Sequence, residues 1–299
     1  MSWQMHAIAA YARLWRRPRS YRSAASTAAF LRRPKHSAAP PDRLRKLRSF
    51  RISETRYGDY TCYTVHPPGK PDVPDGLGST VYLHGGGYVS EITVEHWSLV
   101  ADIATTTGRP VHVPIYGLAP NHNAVDAHTF LRQVLNDVAS PGPVYLAGDS
   151  AGGGLALAVT QQWLAAGGAP PVGLTLISPW LDATASNPAI PTVAHLDPWL
   201  TVEALHVIAK VWAGALDLRD PRVSPIYGDL ATLPPVDLYI GTRDILQPDC
   251  LRLRDGAPTG RVSYTQQSGA IHVYPLLPVP EGRRARAVLL NRLSAQFNS

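Results

Sequence analysis

A serine between small residues is the first feature of this sequence that could do chemistry. The run Gly148-Asp149-Ser150-Ala151-Gly152 fits the pattern G-x-S-x-G. The preceding segment, PVYLAGD, has the short apolar character of a buried strand, and the following one, SAGGGLALAVTQQWLAAGG, that of a helix. At such a sharp strand-to-helix turn the serine hydroxyl is exposed above the sheet. The pattern predicts that Ser150 is a nucleophile, although a glycine-rich connection without chemistry would look the same.

A serine hydroxyl needs a base, and the usual base is a histidine oriented by a carboxylate. When the serine lies on this kind of turn, the acid and then the histidine follow it along the chain. Three histidines follow Ser150. His272 comes just after the predicted strand RVSYTQQ, whereas His195 and His206 lie in an irregular segment between strands. We therefore predict that His272 is the base; a surface loop histidine is the alternative.

Two aspartates lie between the serine and the histidine, each at the end of a predicted strand. Asp244 ends VDLYIGTRD and Asp182 ends LTLISPWLD. Asp244 is favoured, because its strand comes just before the one that leads to His272 and the two loops should be neighbours at the carboxyl edge of the sheet. Asp182 stays open as an alternative, since it could instead form local hydrogen bonds in a turn.

A glycine-rich loop follows an earlier strand. His84-Gly85-Gly86-Gly87 comes directly after STVYL, and glycines without a Cβ let backbone amides approach a ligand closely. Acyl transfer creates a negatively charged oxygen that such amides stabilise, together with the amide of the residue after the nucleophile, here Ala151. A flexible turn is the alternative for the glycines taken alone.

The elements around these residues alternate between strand and helix from residue 79 onward. This alternation, with short apolar runs in the strands, predicts a mostly parallel sheet covered by helices on both faces. In the last helix Ala285, Leu289, Leu293 and Phe297 recur every four residues, which indicates a face packed on a core. The predicted strands are 51–58, 59–67, 79–84, 110–116, 143–149, 172–180, 236–242 and 261–267, and the predicted helices are 95–108, 124–138, 150–168 and 282–297.

Two segments lie outside this alternation. Residues 183–215 contain a proline-rich loop and then a helix that begins near Thr201, a plausible N-cap, and we expect this insertion to lie over the carboxyl edge as a lid. Near the N-terminus, SWQMHAIAAYARLW predicts a helix that carries Trp3, Ala7, Tyr11 and Leu14 on one side.

Charge is concentrated at the N-terminus. Residues 1–51 hold 13 of the 28 Lys and Arg residues and one of the 22 Asp and Glu residues, so the net charge of +6 comes from a basic arm on an otherwise acidic chain. A solvated arginine-rich helical face is favoured over a binding role, and we expect no nucleic-acid partner; weak contact of the basic segment with a membrane surface stays open.

The cysteines and the apolar segments of the sequence bear on metal binding and on the cellular compartment. The two cysteines, Cys62 and Cys250, lie far apart, which argues against a zinc cluster and a disulfide scaffold. The sequence has no recognisable signal peptide and no apolar run of the ~18–20 residues that a spanning helix needs. These observations predict a cytoplasmic protein.

Taken together, HGGGY, GDSAGGGLA, SPWLD, GTRDIL and IHVY, in this order, resemble the hormone-sensitive-lipase-like α/β-hydrolases, the bacterial family IV esterases. The resemblance extends from about residue 50 to the C-terminus. It implies an α/β-hydrolase fold with a helical cap, and a carboxylic-ester hydrolase that uses neither a cofactor nor a metal. It implies Ser150 as nucleophile, Asp244 as carboxylate and His272 as base. The oxyanion donors that it implies are Gly86, Gly87 and Ala151, with His84 and Gly85 supporting their loop.

The resemblance also implies a division of the chain and a substrate class. Residues 1–50 would form an N-terminal cap segment, 51–182 and 216–299 the hydrolase core, and 183–215 a cap insertion. The expected substrate is a small-molecule ester with a short to medium acyl chain. An amidase or acyltransferase with the same triad, and a non-catalytic ligand binder on the hydrolase scaffold, remain alternatives. One departure is visible: where the family usually has YRLAPE, Gly117 and Asn121 replace the arginine and the glutamate.

Overall fold

An eight-stranded sheet forms the centre of the molecule in the computed structural model, which describes residues 1–47, 50–69 and 76–298. The strand order is β1-β2-β4-β3-β5-β6-β7-β8. β1 and β2 pair antiparallel, as do β2 and β4, and all other neighbours are parallel. The strands are β1 (Ile52–Tyr57), β2 (Tyr60–Val65), β3 (Ser79–Leu83), β4 (Val111–Ile115), β5 (Val144–Asp149), β6 (Gly173–Ile177), β7 (Val236–Arg243) and β8 (Val262–Ile271).

Helices cover both faces of this sheet, because β3, β5 and β6 are buried along their whole length and must be shielded on each side. One apolar cluster joins the sheet to α6, α7, α9 and α10, and a second cluster joins it to α1, α5 and α11. The helices are α1 (Trp3–Tyr11), α2 (Arg17–Ser20), α3 (Ala24–Leu31), α4 (Asp42–Leu47), α5 (Val94–Thr107), α6 (Ala124–Ala139), α7 (Ser150–Ala165), α8 (Ile190–Ala194), α9 (Val202–Ala213), α10 (Gln247–Gly256) and α11 (Pro280–Gln296).

The predicted alternation and fold class are confirmed. Thr201 is the N-cap of α9, where its side chain accepts a hydrogen bond from the Ala204 amide. Along α11, Ala285, Leu289 and Leu293 are buried as the spacing predicts. The differences are these: β8 continues to Ile271, four residues beyond the predicted end, β6 ends at Ile177, three residues before the predicted end, and α10 lies in a segment for which no helix was predicted.

The N-terminal helix is present, but the side that carries Trp3, Tyr11 and Leu14 faces solvent. The residues that pack inward are instead Met5 and Ala9. The chain then stays helical through the π-helical segment Ala12–Arg16 into α2, although a proline at position 18 is typical of a helix interruption. Apolar residues at helical spacing occur on two different faces of this helix. Only the tertiary contacts determine which of the two faces packs inward.

The N-terminal segment and the insertion pack together above the sheet. The Arg13 and Arg17 guanidinium groups donate hydrogen bonds to the carbonyl oxygens of His195 and Asp197, at 3.3 and 3.2 Å. The Thr201 hydroxyl donates to the Tyr21 carbonyl at 2.7 Å. Across the described ranges, no helix is both long and apolar enough to cross a membrane.

Candidate active site

Ser150 lies at the turn from β5 into α7, in a conformation that its small neighbours permit. Its φ is +51°, in the left-handed region that residues with side chains rarely adopt. The turn is tight because α7 begins against the end of β3: a Cβ on Gly152 would overlap the carbonyl oxygens of Leu83 and His84. The sequence requirement for small residues around the serine is therefore a requirement for space.

The structure brings His272 and Asp244 to this serine. His272 Nε2 lies 2.9 Å from Ser150 Oγ, and His272 Nδ1 lies 2.8 Å from Asp244 Oδ2. Asp244 directly follows β7 and His272 directly follows β8, so adjacent parallel strands deliver both side chains to the same edge. With Asp244 ionised, Nδ1 carries the proton that Asp244 accepts and Nε2 is left to accept the serine proton.

The alternative side chains lie elsewhere. Asp182 accepts hydrogen bonds from the Thr184 amide and hydroxyl and from the Tyr227 hydroxyl, so it stabilises a local turn and an adjacent loop. His206 Nε2 contacts the Thr184 carbonyl at 2.9 Å, and His195 lies in the insertion with its carbonyl held by Arg13. The structure brings Asp244, rather than Asp182, against His272.

The environment of His272 favours its protonated form. Burial lowers the pKa of this histidine, but the charge of Asp244 and its hydrogen bond raise the pKa by more, and the charge of Asp197 adds to that rise. The net result is a pKa above the ordinary value of 6.5. A raised pKa makes His272 a stronger base once it is deprotonated.

Asp197 is a buried carboxylate near the site that was not predicted from the sequence. Its Oδ1 accepts the Trp199 and Leu200 amides at 2.7 and 2.9 Å, and its Oδ2 accepts the Ile245 amide at 2.9 Å. It therefore connects the insertion to the loop that carries Asp244. Burial and the charge of Asp244 raise the pKa of Asp197 to about 6. The local sequence predicts only an aspartate-capped turn, because the partner Ile245 is far away in the chain.

The loop after β3 exposes two backbone amides beside the serine. Gly86 has a φ of +114° and Gly87 one of +63°. Both residues line the same cavity as Ser150. Neither amide donates a hydrogen bond to another of the residues that the structure describes. The amide of Ala151 has no partner within α7, because the first amides of a helix lack an acceptor one turn earlier.

Asp149 fixes this loop to the serine turn. Its Oδ1 accepts hydrogen bonds from the Gly85 amide at 2.9 Å and the Tyr82 hydroxyl at 2.6 Å, and its Oδ2 lies 3.2 Å from His96 Nε2. Burial raises the pKa of this carboxyl, but His96 and the hydrogen bonds lower it by more, to below its ordinary value. Position 149 is one of the variable positions of the G-x-S-x-G pattern, so the pattern did not predict that Asp149 holds the loop. The only local sign of this role was the presence of an aspartate next to the serine.

His84 supports the same loop from the opposite side. Its ring stacks on Tyr116 with centroids 4.5 Å apart, and its Nδ1 lies 2.7 Å from the Gly85 carbonyl. The Tyr116 hydroxyl donates to the His84 carbonyl at 2.6 Å. Burial, together with the nearby charge of His96, lowers the pKa of His84 to about 4, so the ring is neutral.

The departure from YRLAPE is accommodated by a neighbouring histidine. A Cβ at Gly117 would overlap the ring of His122, so the glycine makes room for that side chain. His122 Nδ1 lies 3.1 Å from the Tyr60 hydroxyl and 3.9 Å from an Asp126 oxygen. His122 of this loop therefore makes polar contacts with β2 and α6 and not with Ser150.

A cavity of about 470 Å³ opens above the serine. Ser150 and His272 lie in its wall, and most of the rest of the lining is apolar. Its volume falls within the range of small-molecule sites. The N-terminal segment contributes Ile8, Tyr11, Ala12 and Arg16, and the insertion contributes Trp199, Leu200, Ala204, Leu205 and Ile208. Within the described ranges, no group of three or more His, Cys, Asp or Glu side chains is arranged to hold a metal ion.

Known proteins are similar to this chain in sequence. A family model described as the alpha/beta hydrolase fold matches residues 80–276. An acetyl-hydrolase of Streptomyces hygroscopicus is 32% identical over 226 residues, which cover 72% of this chain and 75% of that protein. A triacylglycerol lipase of Mycobacterium tuberculosis is 30% identical over 251 residues, or 80% of this chain, but the match spans only 50% of the lipase.

A solved structure extends the similarity to nearly the whole chain. The crystal structure of an esterase from the bacterial hormone-sensitive lipase family has a TM-score of 0.77 and 25% sequence identity, and it covers 99% of each chain. The family model includes all of the predicted triad and glycine-loop positions, from His84 to His272.

Proposed function

The chain belongs to the α/β-hydrolases, in the hormone-sensitive-lipase-like family, and from this premise we propose that it is a serine carboxylesterase whose nucleophile is Ser150. The observation that carries the proposal is the continuous hydrogen-bonded chain from Ser150 through His272 to Asp244 at the wall of a mostly apolar cavity. Serine, histidine and carboxylate in this order and geometry perform acyl transfer.

In the first half of the reaction, Ser150 Oγ attacks the ester carbonyl carbon while its proton passes to His272 Nε2. Asp244 holds Nδ1–H and stabilises the imidazolium that forms. The tetrahedral intermediate collapses when the carbon–oxygen bond to the alcohol breaks, and the Nε2 proton moves to that leaving oxygen. The acyl group is then bound to Ser150.

In the second half, water replaces the alcohol. His272 removes a proton from the water as it attacks the acyl carbon, and the proton returns to Ser150 Oγ when the acid leaves. The amides of Gly86, Gly87 and Ala151 are the proposed donors to the negatively charged oxygen in both halves. Their support is that the Gly86 and Gly87 amides donate to none of the described residues and that both glycines line the same cavity as Ser150.

The cavity supports a short to medium acyl group. Its volume of about 470 Å³ holds a small ester, and Leu205, Ile208 and Leu246 are among its apolar lining residues. The named activities of the relatives cover a wide range, from an acetyl-hydrolase to a triacylglycerol lipase, so the chain length has to be measured on this protein.

The test is hydrolysis of p-nitrophenyl esters with acyl chains of two to sixteen carbons. We expect the highest kcat/KM at eight carbons or fewer. Ser150→Ala should lower kcat by at least about 10⁴-fold, because removal of the nucleophile leaves only binding and oxyanion stabilisation.

Ser294→Ala on α11 is the matched control for the nucleophile. It removes a hydroxyl of a residue that does not line the cavity, and its activity should equal that of the wild type. Comparable turnover by Ser150→Ala would refute the assignment of the nucleophile, and maximal activity at sixteen carbons would refute the proposed acyl range.

A further inference from the structure

The N-terminal helical segment exposes an unusual number of large apolar side chains. Trp3 is 75% exposed, Leu14 68%, Tyr11 59% and Trp15 54%. Apart from Met1 at the start of the chain, the exposed large hydrophobic residues in the rest of the described part are single valines and one leucine. Scattered single residues are normal on a soluble protein, whereas a concentration on one segment indicates a contact surface. We call Trp3, Tyr11, Leu14 and Trp15 the aromatic patch.

Positive charge surrounds the aromatic patch. Arg13, Arg16, Arg17 and Arg19 lie in the same segment, and within the described ranges no carboxylate lies within 4 Å of their guanidinium groups. Arg13 and Arg17 contact backbone carbonyls of the insertion, and Arg19 lies 5.0 Å from the centre of the Trp15 ring. The charge of this segment is therefore not neutralised by ion pairs.

The aromatic patch also lies beside the entrance to the candidate site. Tyr11 belongs both to the patch and to the lining of the cavity, and Arg16 and Ile8 line the cavity from the same segment. Met5 and Ala9, on the inward side, hold the segment against the core. A surface that contacts the aromatic patch would thus be adjacent to the cavity above Ser150.

We propose that the aromatic patch and its arginines dock the protein on an anionic lipid surface. Tryptophan and tyrosine are suited to the boundary between headgroups and acyl chains, and a helix with an apolar side flanked by arginines lies in that boundary. Arg13, Arg17 and Arg19 would contact lipid phosphates, whereas Arg16 lies over the Trp199 ring at the cavity and interacts electrostatically with Glu95. The partner is the lipid surface and not a soluble protein, because aromatic and basic side chains alternate between residues 3 and 19 and this stretch of sequence contains no Asp or Glu.

The first test is sedimentation of the full chain with vesicles. The wild type should bind vesicles of phosphatidylcholine with a quarter of phosphatidylglycerol, bind pure phosphatidylcholine vesicles at least tenfold more weakly, and lose affinity as salt is raised. Equal sedimentation with both vesicle types, or with neither, would overturn the proposal. No turnover is needed, so this result is independent of the assignment of Ser150.

Variants locate the contact. Trp3→Ala, Leu14→Ala and Trp15→Ala combined should weaken binding to anionic vesicles at least tenfold; none of these residues lines the cavity, so hydrolysis of a soluble ester should be unchanged. Val125→Ala with Val288→Ala removes exposed apolar groups elsewhere and is the control. Arg19→Gln should weaken binding about fivefold.

Two results would overturn the location. If the triple variant binds anionic vesicles as the wild type does, the aromatic patch is not the contact. If the wild type is a dimer that the triple variant converts to a monomer, and neither binds vesicles, the patch is a self-association surface instead. Circular dichroism and the thermal midpoint show whether the variants are folded.

Discussion

Two buried carboxylates, Asp244 and Asp197, act on the one histidine beside Ser150. Asp244 contacts the ring directly, whereas Asp197 acts through its charge and through the Ile245 amide that it holds. Their roles can be separated, because direct contact determines the orientation and tautomer of His272 while a distant charge only shifts its pKa.

Replacing Asp197 by Asn should move the pH dependence of activity. The reaction needs neutral His272, and the negative charge of Asp197 raises the pKa of that histidine. Removing the charge lowers the pKa, so the acidic limb of kcat/KM should shift to lower pH. The measurement is the pH profile for p-nitrophenyl butyrate between pH 4.5 and 8.5. A limb that does not move, with a lower thermal midpoint, would mean that Asp197 only holds the loops together.

Replacing Asp244 by Asn should lower kcat by about 10⁴-fold, because an amide leaves the histidine in the wrong tautomer to accept the serine proton. Asp182→Asn is the matched comparison: Asp182 follows the other candidate strand, accepts hydrogen bonds from the Thr184 amide and the Tyr227 hydroxyl, and lies 3.9 Å from the Arg252 guanidinium. The Asp182→Asn variant should have a lower thermal midpoint than the wild type, with little change in kcat. A larger loss of kcat at Asp182 than at Asp244 would contradict the assignment.

Strand and helix positions were largely predictable, because periodicity and turn residues report local geometry. The strand that leads to Ser150 and the helix after it agree within a few residues with β5 and α7. The candidate triad followed from chain order and strand ends. What could not be predicted depends on partners distant in the chain: the Asp197–Ile245 contact, the Asp149–His96 contact, and which side of α1 packs inward.

The packing of α7 on β3 makes a prediction about Gly152. A methyl group there would overlap two backbone carbonyls of the β3 end, which cannot move without disturbing the sheet. We expect Gly152→Ala to lower the free energy of unfolding in urea by about 1–3 kcal/mol. Gly153→Ala in the same helical turn is the control: its added Cβ lies 3.1 Å from its nearest neighbours, and a gain in helix propensity offsets part of that strain. Equal losses for both variants would argue against the overlap.

The molecule as a whole combines an acidic core with a basic N-terminal arm. The residues predict this division of charge, and the family resemblance implies that the arm is part of the cap; the particular side chains that it adds to the cavity wall could not be predicted. Arg16 lies 4.4 Å from the centre of the Trp199 ring, and that ring meets the His272 ring edge-on with centroids 5.7 Å apart. The N-terminal segment is therefore connected to the candidate triad through a single indole.

Truncating the side chains that the arm contributes to the cavity wall should weaken substrate binding more than it slows the chemical step. Tyr11→Ala combined with Arg16→Ala removes two lining side chains that do not contact Ser150. We expect KM for p-nitrophenyl butyrate to rise at least fivefold and kcat to change less than twofold, as for a loss of uniform binding. Arg22→Ala with Arg32→Ala, exposed on the same arm, is the control. An unchanged KM would show that the arm does not shape the site.

The central claim is that Ser150 forms the covalent intermediate, and mass spectrometry after reaction with diethyl p-nitrophenyl phosphate tests it most directly. The phosphorus-bound nitrophenolate is displaced by the nucleophile, which leaves a stable diethylphosphoryl ester. We predict one adduct per chain, located on the peptide that contains Ser150, with loss of activity in proportion to labelling and no adduct on Ser150→Ala. An adduct on another residue, or full inhibition without an adduct on Ser150, would contradict the account.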